Sequence, residues 1–162
     1  RFTELINRIK SMSLIHEYLC NSKDLININV REYIKELIST ITQTYSISNL
    51  KINSHVEEIN IDLEHLMSLG VILNEIISNS IKHHPKDKTI ILDVLCFKKD
   101  GNIVLQIVDN GLGFDLISHK TGFGLALIKD FSKKLPEGIY SFKKDEGTIF
   151  ELIFKDIKNN EN

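Results

Sequence analysis

The run Asp109-Asn110-Gly111-Leu112-Gly113 follows a β-branched stretch, Ile103 to Val108, and marks where a strand gives way to a loop. Upstream lies Asn74-Glu75-Ile76-Ile77-Ser78-Asn79-Ser80-Ile81-Lys82-His83. Downstream come Gly122-Phe123-Gly124-Leu125 and then Gly147-Thr148. A D-x-G-x-G run alone is compatible with an ordinary turn between strands. Four such motifs in one order restrict the fold far more, because helices, strands and glycine turns must alternate to fit them.

The rest of the chain supplies those elements. Residues 2–20 read as a helix whose Phe2, Leu5, Ile6, Ile9, Met12 and Leu19 share one face, and Asn21-Ser22-Lys23-Asp24 breaks it. A second helix is predicted from Val30 to Tyr45, with Tyr33, Ile34, Leu37, Ile38 and Ile41 as its stripe. Leu50 to Val56 alternates weakly, as an edge strand does. Asp62 then caps a long helix that Pro85 stops after His84. Ile90 to Phe97 and Ile103 to Val108 form a hairpin across Lys98-Lys99-Asp100-Gly101-Asn102. A helix from about Phe123 to Leu135 ends at Pro136, and a last hairpin joins Ile139–Phe142 to Thr148–Lys155. Helices first and strands later predict an α/β sandwich, one mixed sheet covered on one face by helices.

Composition narrows the function classes. A formal net charge of -2 gives no field to hold nucleic acid or an anionic membrane, although lysines pair at Lys98-Lys99, Lys133-Lys134 and Lys143-Lys144. Those pairs read as solvated element ends. Cys20 and Cys96 stand far apart without metal spacing, as buried thiols in a reducing compartment do. Neither a membrane-spanning run nor a signal peptide is present. Arg at position 1 suggests a piece of a longer protein, soluble or membrane-anchored, with this part cytoplasmic.

Spacing and parity then select side chains. Glu75, Asn79, Lys82 and His83 fall at i, i+4, i+7 and i+8, one helix face, opposite Leu66, Leu69, Leu73, Ile77 and Ile81. That face is either solvated or, with Val71 and Ile72 beside Glu75, half-buried and in need of partners. In the strand before the glycine run, Ile103, Leu105 and Ile107 make the apolar set, and Asp109 is in phase with them, so its carboxylate should face the helices. It is either a base-reading acid or a cap on the turn at Gly111. Thr148 shares the phase of Phe150, Leu152 and Phe154, so its hydroxyl should point inward. Gly122-Phe123-Gly124 opens a helix whose free N–H groups suit an anion.

Together these motifs resemble the ATP site of the superfamily uniting DNA gyrase, the heat-shock chaperone ATPase, histidine kinases and the mismatch-repair ATPase. Over nearly its whole length the chain resembles the catalytic domain of a sensor histidine kinase. The resemblance implies Mg²⁺ on Asn79 and a water- or nucleophile-orienting role for Glu75. It implies phosphate contacts from Lys82, Lys120, Thr121, Gly122, Gly124 and Leu125, with His83 either a supporting group or a helix-end cation. Asp109 would accept the adenine amine, Gly111 and Gly113 would let backbone approach base and ribose, and Thr148 would make a water-linked adenine contact.

The stretch from Asn7 to Leu19 resembles the second dimerisation helix of HWE-like histidine kinases. The implied organisation is the end of a helical dimerisation and phosphotransfer region over 1–28, an ATP-binding domain over 29–158 and a disordered tail over 159–162. ATP and Mg²⁺ are the implied cofactors. The implied partners are a response-regulator receiver domain and a second copy of the parent, paired through the N-terminal helices. His16-Glu17 looks like a phosphoacceptor dipeptide, but His16 falls inside the apolar stripe, and the resemblance puts the phosphorylated histidine on a preceding helix. The lid from Phe114 to Thr121 is shorter than in most sensor kinases. The alternatives are an anti-sigma-type serine kinase and a nucleotide-gated binding module without phosphoryl transfer.

Overall fold

Local sequence sets each helix end. The computed structural model describes residues 2–21, 26–112 and 123–157; Gly113, Lys120, Thr121, Gly122, the lid and the tail beyond residue 157 lie outside them. Helix α1 (Phe2–Asn21) is followed by strand β1 (Ile28–Asn29) and helix α2 (Val30–Tyr45). Asn29 caps α2 by accepting the Glu32 N–H at 3.1 Å, and Ser46 closes it in the left-handed region at φ 48°, donating to Thr42 O. Val30, Tyr33, Ile34, Leu37 and Ile41 are its buried side.

Strand β2 (Leu50–Val56) and strand β3 (Asn60–Ile61) precede helix α3 (Leu63–His83). Asp62 caps α3 through the His65 N–H at 2.9 Å. At the far end His84 takes ψ 142°, the extended setting forced on a residue before proline. The predicted stripe Leu66, Leu69, Leu73, Ile77 and Ile81 is buried, and so are Ile72, Ile76 and Glu75. Helix α3 is therefore covered on more than one side, and it lies against α1, α2 and the sheet.

Strands β4 (Ile90–Lys99) and β5 (Asn102–Asp109) form the central hairpin. Their turn is shorter than the sequence suggested. Asp100 (φ 50°) and Gly101 (φ 75°) alone make it, because two left-handed residues match the twist of the flanking strands. Helix α4 (Phe123–Ser132) packs on α3, and strands β6 (Ile139–Lys144) and β7 (Thr148–Lys155) complete the sheet. The order is β2-β4-β5-β7-β6, with β2 parallel to β4 and the other pairs antiparallel. Alternate residues Leu92, Val94 and Cys96, Ile103, Leu105 and Ile107, and Phe150, Leu152 and Phe154 enter one core. This is the expected two-layer α/β sandwich, with α1 as an N-terminal appendage.

Three expectations change. Helix α4 stops at Ser132 rather than Leu135. Ser132 Oγ bonds Ile128 O at 2.6 Å, and the next turns tighten through Lys134 N to Phe131 O and Leu135 N to Ser132 O. The β1–β3 pair was not anticipated, since two-residue strands carry no periodicity. Cys96 is buried as expected, and burial, then the nearby Glu57 carboxylate, pushes its thiol from 9.0 up to about 12. Cys20, on α1, is exposed instead.

Candidate functional site

Where β5 ends, its inward parity carries Asp109 toward α3. Asp109 Oδ1 accepts the N–H of Gly111 at 2.9 Å and of Thr148 at 3.0 Å, and Oδ2 accepts the Ser80 hydroxyl at 2.7 Å. The acid thus both caps its own turn and faces the helix. A carboxylate has about four acceptor positions, so after these three bonds about one is left for a ligand. Thr148 lies directly opposite Asp109 in the β5–β7 register.

These residues line one pocket between α3 and the sheet. Asn79 and His83 on α3, Asp109, Gly111, Leu112 and Thr148 surround it, with Ile76 and Phe142 as apolar wall. Phe142 is held by Phe150, ring centroids 5.1 Å apart. The pocket sets the apolar Ile76, Leu112 and Phe142 beside the Asp109 acid, the mix of apolar wall and placed polar group that orients a small ligand.

Next to it lies a second feature. Glu75 is 4% exposed. A Cβ on Gly124, at the start of α4, would stand 2.7 Å from Glu75 Oε2 and 3.6 Å from Asn79 Nδ2. The bare glycine keeps a cradle open beside a carboxylate and a carboxamide. Glu75 Oε2 is the oxygen that faces the cradle, and Asn79 brings its carboxamide beside it. Mg²⁺, which keeps several waters, needs only one or two such protein ligands.

Of the residues singled out by sequence, the structure gathers Asn79, His83, Asp109, Gly111 and Thr148 at the pocket, with Glu75 and Gly124 alongside. Lys82 is exposed and does not line the pocket. Leu125 packs against the core. Sequence reasoning missed Ser80, His84 and Phe142. Phe142 had a signal, the alternation of Tyr140 and Phe142 on β6. Ser80 and His84 had only their helical spacing from each other.

Two family profiles match the sequence. One, described as histidine kinase, covers residues 1–45. The other, described as histidine kinase-, DNA gyrase B-, and HSP90-like ATPase, covers residues 64–158. No curated protein matches by sequence. Among solved structures, the histidine kinase domain of the blue-light activated histidine kinase of Erythrobacter litoralis EL346 is similar at TM-score 0.82 and 15% identity, over 94% of this chain and 74% of that one. A longer form of that kinase gives TM-score 0.81 and 17% identity over 93% of this chain, which spans only 53% of its length. The mycobacterial sensor histidine kinase MprB gives TM-score 0.65 and 18% identity, over 82% of this chain and 97% of that one. At such identities the likeness is one of fold.

Proposed function

Since this chain belongs to the histidine kinase-, DNA gyrase B-, and HSP90-like ATPase family, we propose that its parent is a sensor histidine kinase passing phosphate from ATP to a histidine and then to a receiver aspartate. The chain carries the ATP-binding catalytic domain of a histidine kinase, an ATP-dependent phosphotransferase. The observation that carries the finer reading is Asp109, which lines the pocket with an acceptor position left on Oδ2 beside Ser80. A 6-amino purine satisfies it, and a 6-keto purine presents an oxygen where only a donor is accepted.

On this reading the base lies between Ile76 and Phe142, and the phosphates run toward Glu75, Asn79 and Gly124. Asn79 holds Mg²⁺, which when bound offsets phosphate charge. Glu75, buried beside it, orients the attacking group. Gly111 lets backbone approach the nucleotide, Lys82 reaches a phosphate from the helix end as a point charge, and His83 supports the rim.

The phosphoacceptor on this reading is not His16, the one histidine among residues 1–45, because His16 falls within the stripe of Ile9, Met12 and Leu19. A dimer of the parent through its N-terminal helices is supported by α1, where Phe2, Leu5, Ile6 and Ile9 are 84%, 54%, 44% and 57% exposed. No helix among the described residues is long and apolar enough to cross a membrane. Calorimetric titration with ATP and GTP, each with Mg²⁺, tests the reading. ATP binding with a clear preference over GTP is expected; equal affinities would remove the base assignment.

A further inference from the structure

Ser80 on α3 and His84, the extended residue that caps this helix, grip the turn that carries Asp109. We propose that they are positioning residues, and that through them α3 sets the preference for a 6-amino over a 6-keto purine. The proposal rests on the reading of this pocket as a purine site.

Ser80 acts on the acid. Asp109 Oδ1 is occupied by two backbone N–H groups, so only Oδ2 is left to aim. Ser80 Oγ stands 2.7 Å from Oδ2. A carboxylate has no proton to give, so the hydroxyl donates, and its oxygen then shows only lone pairs to the pocket. Two acceptors, Oδ2 and Oγ, sit side by side on the pocket wall. An exocyclic amine with two N–H groups suits such a pair. A keto oxygen there meets two acceptors and loses its water, which is how buried polar groups reject a near-isostere.

His84 acts on the next residue. It is 7% exposed, and its Nε2 lies 3.0 Å from Asn110 Oδ1. The Asn110 amide cannot be turned over, because Nδ2 donates to Thr89 O at 2.9 Å while Oδ1 accepts the Ile91 N–H at 2.8 Å. An oxygen faces each ring nitrogen, since Nδ1 lies 3.0 Å from Pro85 O, so a neutral ring donates to one of the two. In the tautomer proposed, Nε2 carries the proton and donates to Asn110. The ring thereby ties the end of α3 to Asn110, which is also pinned to the start of β4. A Cβ on Gly111 would lie 3.0 Å from Asp109 Oδ1 and 3.7 Å from His84 Cδ2, so carboxylate and imidazole flank the glycine between them. The turn has little room to shift while both side chains are in place.

The test measures ATP and inosine triphosphate binding to the whole chain carrying Ser80→Ala, Ser80→Thr or His84→Ala, with thermal unfolding as a check on folding. Ser80→Ala should lose roughly tenfold in ATP affinity, the scale of one hydrogen bond to a charged group. Its inosine triphosphate affinity should hold or rise, so the selectivity ratio narrows. Ser80→Thr, which keeps the hydroxyl, should restore the ratio, and His84→Ala should narrow it as Ser80→Ala does. Equal losses for both nucleotides would mean a merely structural role and would overturn the proposal. Tighter ATP binding in Ser80→Ala would also overturn it, by showing that Ser80 competes with the base for Oδ2. A long-range proton–nitrogen spectrum without a proton on His84 Nε2 would remove His84 even if its variant fails to fold. A wild-type chain that binds ATP without base preference would sink the purine reading itself, whereas a preference that survives Ser80→Ala unchanged would sink only this proposal.

Discussion

A Cβ built on Gly147 would lie 1.8 Å from the carbonyl oxygen of Asp109 and 3.1 Å from the Asn110 Cα. The β6–β7 turn therefore presses on the end of β5, and the two bracket Thr148 and the Asp109 carboxylate. Gly147→Ala must drive these backbones apart, an overpacking that costs on the order of 1–3 kcal/mol. It should lower the thermal midpoint and weaken ATP binding together. A midpoint within error of the wild type would show that the turn yields freely and does not set the acid's place.

Asp109→Asn separates charge from shape. The carboxamide keeps one acceptor oxygen where the carboxylate has two. Either the Gly111 and Thr148 N–H groups or the Ser80 hydroxyl then loses its acceptor. The variant should fold yet lose most ATP affinity, on the order of 2 kcal/mol for a charge-assisted bond. Calorimetry on a variant with native circular dichroism decides it, and unchanged affinity would withdraw the adenine assignment.

Much of this arrangement was legible in the sequence because it rests on local rules. Strand parity sent Asp109 toward α3 and Thr148 inward, and both directions hold because Ile107 and Phe150 beside them have to enter the core. Asp62 and Pro85 bounded α3 by capping and by sterics alone. What escaped was set by contacts across the chain. Ser80 reads as one more polar helix residue until β5 brings Asp109 within 2.7 Å of it. His84 reads only as the last residue before Pro85 until Asn110 arrives from 26 residues away. The end of α4 turned on Ser132 bonding back to Ile128, a choice that apolar spacing does not record.

Metal dependence should report Asn79. Its carboxamide stands with Glu75 around the cradle kept open by Gly124. Asn79→Ala should abolish any gain in ATP affinity on adding Mg²⁺, while Asn79→Asp should retain a gain with Mn²⁺. Titrations with and without EDTA make the comparison. Wild-type binding indifferent to EDTA would take the ion away from Asn79.

Cys96 gives the fold a signed response to alkali. Burial, then Glu57, raises its thiol from 9.0 to about 12 in the folded chain. Between those values the unfolded chain releases a proton that the folded chain keeps, so this group's stability contribution is whole below about pH 9 and is lost as pH rises toward about 12. The thermal midpoint should therefore fall more steeply above pH 9 in the wild type than in Cys96→Val. Parallel curves would mean that the thiol does not titrate differently in the two states. In native buffer a thiol reagent should modify Cys20, which is exposed, well before Cys96.

The last expectation concerns turnover by this chain alone. In-line phosphoryl transfer needs the nucleophile within about 3–3.5 Å of the γ-phosphate, and positioning supplies most of the acceleration. On the reading proposed here His16 falls within the apolar stripe of the sequence and is not the group presented to ATP. The chain should bind nucleotide yet show negligible self-labelling with γ-labelled ATP, and His16→Ala should move the thermal midpoint rather than the label. Acid-labile label on this chain that disappears in His16→Ala would make His16 the phosphoacceptor and place the whole transfer within residues 1–162.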